Sequence, residues 1–410
     1  MTERSERGGS HRDDRGGRGY RGGSGGGDRG YRGGSGGVRG GGGRGGDRGY
    51  RGGDRGYRDG ERGRSRRVYD DEPRDGLLAD LVGHLHALDG RSYAAYKAIV
   101  GRYRAPAGWF LHIDRVQSDP YAPPTRIHVD VPTDLHGLAL LDEADLLADV
   151  DRRLAVGDFL TRELHAGFRG TALSIASPGQ EILQRSSIIV RPDEKKEGPG
   201  WVLEIRARLA LPAQGRSIQG HEASRIVGRD LVRELEEAMD LTGERGDRLV
   251  RHIATLEDHR ALTATVARNG WVSFLADGSV LPRRSGVSDE PLDGGVPLEA
   301  PNSMAATVEL PHAGTVRGTV VEAGVNVIVG GGYHGKSTLL SAIERGVYPH
   351  VPGDGRELVA TVPDAVKVRA ADGRAVTGVD LTPFISHLPA GRDTASFTTR
   401  NASGSTSQAA

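Results

Sequence analysis

Apolar side chains at Leu77, Leu78, Leu81, Val82, Leu85 and Leu88 recur every three or four positions, which predicts one buried helix face. A second helix is expected from Ser92 to about Tyr103, ending before Pro106. The period then drops to two. Trp109 to Val116 and Thr125 to Val131 read as strands, separated by the turn-forming Ser118-Asp119-Pro120 and Pro123-Pro124. Helical spacing returns over residues 142–168, short strands follow at 173–176, 187–190 and 202–209, and two long helical stretches cover 221–239 and 247–268, the second capped by Asn269-Gly270. Trp271 to Leu275 is a strand that turns at Asp277-Gly278. Residues 307–312, 315–321 and 325–329 predict three more strands, the last a buried one, Val325-Asn326-Val327-Ile328-Val329. Beyond them the pattern gives a helix from Ser337, a strand over 357–362, and a hairpin of 365–369 with 375–379 around Asp372-Gly373.

The first 70 residues carry no such pattern. They repeat Arg-Gly-Tyr-Arg, with RGYRGG at Arg18 to Gly23, Arg29 to Gly34 and Arg48 to Gly53. So few apolar side chains cannot offset the chain entropy lost on folding, and a disordered tail is expected. Residues 1–67 hold 18 Arg against 9 acidic residues, a net of +9; the chain as a whole is neutral, so the remainder carries −9. Arginine neutralises phosphate, tyrosine offers a flat π face and glycine keeps the spacing loose, a combination suited to single-stranded RNA. The segment resembles the RGG stretches of RNA-binding proteins. A solubilising or self-associating tail is the other reading, since Asp28, Asp47 and Asp54 weaken phosphate affinity.

The chain has no cysteine, which excludes disulfides, thiolate metal sites and cysteine nucleophiles. No stretch approaches a membrane span and the N-terminus has no apolar secretory segment, so a cytoplasmic protein without a membrane partner is expected. His84, His86, His112, His128 and His165 are scattered, no pair shows a metal-ligand spacing with a third partner, and ordinary histidines are expected. Gln180, Glu181 and Arg185 follow a Pro178-Gly179 turn and read as a solvated helix start, and Arg283-Arg284 as a charged loop with phosphate contact as the alternative.

Chemistry concentrates at Gly330-Gly331-Gly332-Tyr333-His334-Gly335-Lys336-Ser337-Thr338, a G-x-x-x-x-G-K-[ST] loop between a predicted strand and a predicted helix. Binding a triphosphate requires backbone N–H groups converging on one concavity, hence glycines, and a helix N-terminus adds partial positive charge. Lys336 would reach the β- and γ-phosphates, Ser337 would ligate Mg²⁺ and Thr338 would lie near the α-phosphate.

Together GVNVIVGGGYHGKSTLL, LPRRSG, VDLTPFI and the C-terminal NASGSTSQAA resemble the predicted ATPases of the ABC class, proteins with an added N-terminal domain and no membrane partner. The strands before the loop resemble the antiparallel lead-in of these ATPases. The resemblance runs from about residue 75 to the end and implies an α+β N-terminal domain over 71–300 and an α/β P-loop nucleotide-binding domain over 301–410. It also implies MgATP as cofactor and a homodimer in which Ser403, Gly404 and Ser405, standing where the family's signature sits, clasp the nucleotide of the other subunit. The full pattern is not met: no Gln occurs between Ser337 and Gln408, and no apolar strand after Ser337 ends in Asp-Glu. The expectation is a chain truncated after the signature that hydrolyses ATP little. The leading function is an ATPase acting on a macromolecular partner such as RNA; the alternative is an RNA-binding adaptor with a regulatory or inactive nucleotide site.

Overall fold

A computed structural model describes residues 74–410 except 195, 197–199, 331–333, 369–372 and 389–390; the expected tail over 1–70 and loop residues Gly331, Gly332 and Tyr333 lie outside the described residues. Strand β1 (Arg74–Leu77) leads directly into α1 (Leu78–Ala87), whose Leu78, Leu81 and Leu85 are buried as their spacing predicts. Tyr93–Ile99 forms a 3₁₀ turn, followed by β2 (Gly101–Arg104), β3 (Phe110–Arg115) and β4 (Thr125–Pro132). The helix expected over 92–103 is therefore half turn and half strand. Its break is Gly101, at φ 152°, where a Cβ would stand 2.4 Å from the Arg74 carbonyl oxygen, because β1 lies alongside as a parallel partner.

Helices α2 (Ala139–Glu143) and α3 (Val150–Gly167) follow, the latter capped by the Asp149 side chain accepting from Arg152 N–H. Then come β5 (Leu173–Ser174), β6 (Ile188–Pro192), β7 (Trp201–Leu209) and the short ribbon β8 (Ala213–Gln214) with β9 (Ser217–Ile218). The first sheet runs β1-β2-β3-β4-β7-β5, with β6 also on β7, and is antiparallel apart from β1–β2. Along β4 burial alternates from Thr125 to Pro132, so one face joins the helices in a continuous core and the other is polar. One rod follows: α4 (Gly220–Arg225), a π-helical turn (Ile226–Asp230) and α5 (Leu231–Met239), with α4 on α1 and α5 on α3.

Helix α6 (Gly243–Arg268) spans about 39 Å at 1.5 Å per residue. Its Leu249, Ile253 and Leu256 belong to the first core, while Leu262 and Val266 belong to a second. That second core lies under an antiparallel sheet ordered β11-β12-β10-β13, from β10 (Trp271–Ala276), β11 (Ala305–Leu310), β12 (Gly314–Glu322) and β13 (Val359–Thr361). A division at residue 300 would cut this sheet, since β10 pairs with both β12 and β13.

Two expectations fail here. Residues 325–329 form no strand: no described strand lies beside them to take their backbone hydrogen bonds, and Val325, Val327 and Val329 are 97%, 74% and 81% exposed. The Asn326 side chain instead turns back to donate to the Glu322 carbonyl at 2.8 Å. Nor does 365–369 pair with 375–379 among the described residues. After α7 (Lys336–Arg345), β14 (Val376–Val379) pairs with β15 (Phe397–Thr399), because Val376, Leu381, Phe397 and Ala402 make a small core on which α8 (Gly404–Ala409) rests.

Candidate functional site

The phosphate-loop sequence lies between the exposed 325–330 segment and α7. Gly335 is the N-cap of α7 at φ 78°, a left-handed conformation that favours glycine, and it turns the chain into the helix. Lys336 reaches back to the start of the loop, its Nζ donating to the Gly330 carbonyl at 2.8 Å. Ser337 and Thr338 occupy the first turn, Ser337 exposed and Thr338 half-buried, and His334 is exposed. A left-handed glycine opening a ten-residue helix, a lysine turned back toward Gly330 and an exposed hydroxyl in the first turn fit nucleotide phosphates with Mg²⁺.

The far end of α7 is gripped from three sides. Thr361 N–H donates to the Gly346 carbonyl at 2.9 Å, and Thr361 Oγ1 donates to the Ile343 carbonyl at 2.7 Å. A Cβ on Gly346 would stand 2.8 Å from that Thr361 oxygen, so only glycine fits. His259 on α6 brings Nε2 to 3.1 Å from the same Gly346 carbonyl, an arrangement in which the neutral ring donates. Burial pushes the His259 pKa down to about 4. Third, Arg345 in the last turn pairs with buried Glu181, and the backbone around Glu181 bridges to residues 349–351 through Ile182 N–H to the Pro349 carbonyl (2.8 Å) and Val351 N–H to the Gln180 carbonyl (2.9 Å). Residues 180–185 are thus not the solvated helix start that their sequence suggests; they connect to the nucleotide region, with Glu181 and Ile182 buried and Gln184 exposed.

Behind Glu181 lies a fully buried acid, Asp158. It pairs with Arg162 (2.7 Å), with Arg185 and with His252 (3.2 Å), while Arg162 also donates to the Gly179 and Glu181 carbonyls. Burial lowers the Arg162 pKa to about 10 and that of His252 to about 3, the latter helped by Arg162 and Arg185. Arg283 likewise serves structure: it donates to the carbonyl and carboxylate of buried Asp354, which His350 also contacts at 2.7 Å. Burial opposes Asp354 ionisation, but the His350 hydrogen bond and the Arg283 guanidinium outweigh it and hold the carboxyl below the usual range. Arg284 sits at the surface in a pair with Glu290.

Ser403 is the N-cap of α8 and accepts from Thr406 N–H; Ser403 and Ser405 are exposed and Gly404 half-buried. Helices α7 and α8 rest on different apolar clusters, so the described chain builds the loop and the signature-like turn as separate elements. Sequence reasoning missed the Glu181–Arg345 contact and the Asp158 network, for which no local signal exists. It also missed the pairing of His112 with His128, which depends on strand register.

The N-terminal region, residues 78–241, matches the family model described as the N-terminal part of ATPases of the ABC class, and residues 245–410 match the model of the ABC ATPase P-loop domain. Among curated proteins the chain is similar to an uncharacterized protein of Methanocaldococcus jannaschii, 28% identical over 153 residues, which is 35% of this chain and 34% of that protein. The match thus spans about a third of that relative. Among the described residues no helix is long and apolar enough to cross a membrane. With the two models meeting end to end across residues 78–410, the chain belongs to the ATPases of the ABC class that carry this N-terminal domain.

Proposed function

We propose that this protein binds MgATP through Gly330 to Thr338, with Ser337 on the metal, and that ATP-driven closure of a homodimer, in which Ser403, Gly404 and Ser405 meet the partner's nucleotide, acts on a macromolecular partner. The observation that carries this reading is the mounting of α7. Its N-terminus opens at the loop, while its C-terminus is held by His259 and by Glu181 of the N-terminal region, so a load on the phosphates has a path to that region.

RNA is the partner class that the basic surfaces fit. Residues 1–67 supply arginine and tyrosine, and Arg115, Arg126 and Arg208 form an exposed row across the polar face of the first sheet, where Arg126 pairs with both of the others. The adaptor reading, in which the nucleotide only regulates RNA binding, is favoured by one feature: the exposed arginine row lies on the first sheet and not on the elements that carry the phosphate loop.

Lys336→Ala should weaken binding of a fluorescent ATP analogue by at least about tenfold, in line with the 1.5–3 kcal/mol typical of a charge-assisted contact. Sedimentation with and without MgATP tests closure. Unchanged affinity in the variant, or a sedimentation coefficient indifferent to MgATP, would refute the reading. Salt-dependent RNA binding that disappears on deleting residues 1–67 and ignores Lys336→Ala selects the adaptor.

A further inference from the structure

The polar face of the first sheet brings together residues that look unrelated in the chain. His112 on β3 stands directly opposite His128 on β4, their rings stacked with centroids 4.1 Å apart and planes 12° from parallel. Asp130 follows two residues along β4, on the same face. One ligand-capable atom from each of these three residues lies within 4.8 Å of the other two.

The hydrogen bonds around them leave suitable atoms over. His112 Nε2 is shielded from solvent yet has no hydrogen-bond partner, the Asp130 carboxylate lying 3.5 Å away. His128 Nδ1 is 2.8 Å from Asp114 Oδ2, which fixes the ring and leaves Nε2. Asp130 Oδ1 accepts from Arg191 at 2.9 Å, which leaves Oδ2.

We propose that His112, His128 and Asp130 form a binding site for a divalent transition metal of the zinc type, oriented by Asp114 and Arg191. Two imidazoles and a carboxylate with a remaining open position are zinc donors, whereas Mg²⁺ and Ca²⁺ prefer oxygen alone. A carboxylate behind a ligating histidine is the usual outer support. Zinc bonds of 2.0–2.2 Å place donors about 3.3 Å apart, so the set must contract by side-chain rotation, with the strand pairing kept.

The surrounding charges permit it. Arg191 and Arg206 are both held by Glu204, at 2.9 Å and 2.6 Å, and the Arg102 guanidinium, opposite His112, lies 3.9 Å from the Phe110 ring centre. The site is independent of the phosphate loop and of the proposed function.

The test is titration of the full chain with ZnCl₂, after chelator treatment and without nucleotide, by calorimetry, alongside histidine ring NMR. The expected result is one Zn²⁺ per chain, with His112 and His128 ring signals shifting together. His128→Ala and Asp130→Asn should each lower affinity at least tenfold. Asp114→Asn should lower it about tenfold, the usual range for an outer-shell partner being 10–100-fold. Exchanging the other close pair, His86 and His221 (2.7 Å), for Ala should leave the site intact. Circular dichroism confirms folding, and Asp130→Glu, which keeps the carboxylate, should retain more affinity than Asp130→Asn. Absence of stoichiometric binding, or binding retained in a folded His128→Ala, Asp130→Asn double variant, overturns the proposal.

Discussion

In the N-terminal region, helices α1, α3, α4 and α5 and one face of the first sheet share a single core from Leu78 to Leu256; in the nucleotide region the apolar residues fall into three small clusters around Phe274, Ala342 and Phe397. The surfaces differ accordingly. Val325, Val329, Val366, Val368 and Phe384, all in the second region, are each more than three-quarters exposed. The first region holds itself together; the second leans on it, and α7 is fixed by its packing on the second sheet and by the contacts of its C-terminal end with His259 and Glu181.

Large-to-small substitution should distinguish the two regions most strongly. Leu160→Ala, at a fully buried site of the first core, should cost about 2–5 kcal/mol in urea unfolding, while Val327→Ala should stay within about 0.5 kcal/mol. Similar costs for both would mean that residues 325–329 are packed after all.

Acidification should weaken both regions next, through one buried histidine in each. The folded chain keeps His259 neutral, with its pKa near 4, whereas unfolded it titrates at the ordinary 6.5. Its stabilising contribution is therefore complete above pH 6.5 and is lost as pH falls toward 4, on the order of 3 kcal/mol. His252, depressed to about 3, acts with the same sign from inside the N-terminal region. Asp354, also depressed, withdraws its contribution only as pH falls below the ordinary 3.8. Hydrogen-exchange protection factors over residues 336–361, with the intrinsic pH dependence of exchange divided out, should fall between pH 7 and 4 in the wild type and respond less to pH in His259→Gln. An equal pH response in both would show that His259 does not control this end of α7.

The smallest expected effect sharpens the dependence of one region on the other. A double-mutant cycle of Glu181→Ala with Arg345→Ala should give a coupling of about 1 kcal/mol, modest because the Arg345 side chain is 43% exposed. Glu181→Ala should also weaken ATP binding a few-fold although Glu181 lies outside the loop. A coupling of zero would leave the backbone bridge at Glu181 and His350 as the tie between the regions.

Where a pattern reports local burial, the sequence was readable. The leucines of α1, the alternation of β4 and β7, and α6 with its glycine stop all stand where their spacing puts them. The Gly335–Lys336 helix start was equally plain, being encoded in adjacent residues. What failed depended on distant partners. Residues 101–104 became a strand because residues 74–77 lie parallel to them, and 325–329 stayed out of a sheet because no described strand lies beside them. Glu181 could not be connected to Arg345, nor His112 to His128, because neither spacing nor composition encodes register.

The π turn at Ile226–Asp230 has a consequence for orientation. One residue inserted into a helix advances its phase by about 100° without interrupting the rod. Segment α4 can thus lie against α1 while α5, one segment later, lies against α3. The insertion works like a key cut on two sides: a single rod engages two helices that a regular helix of the same length would meet on one face only.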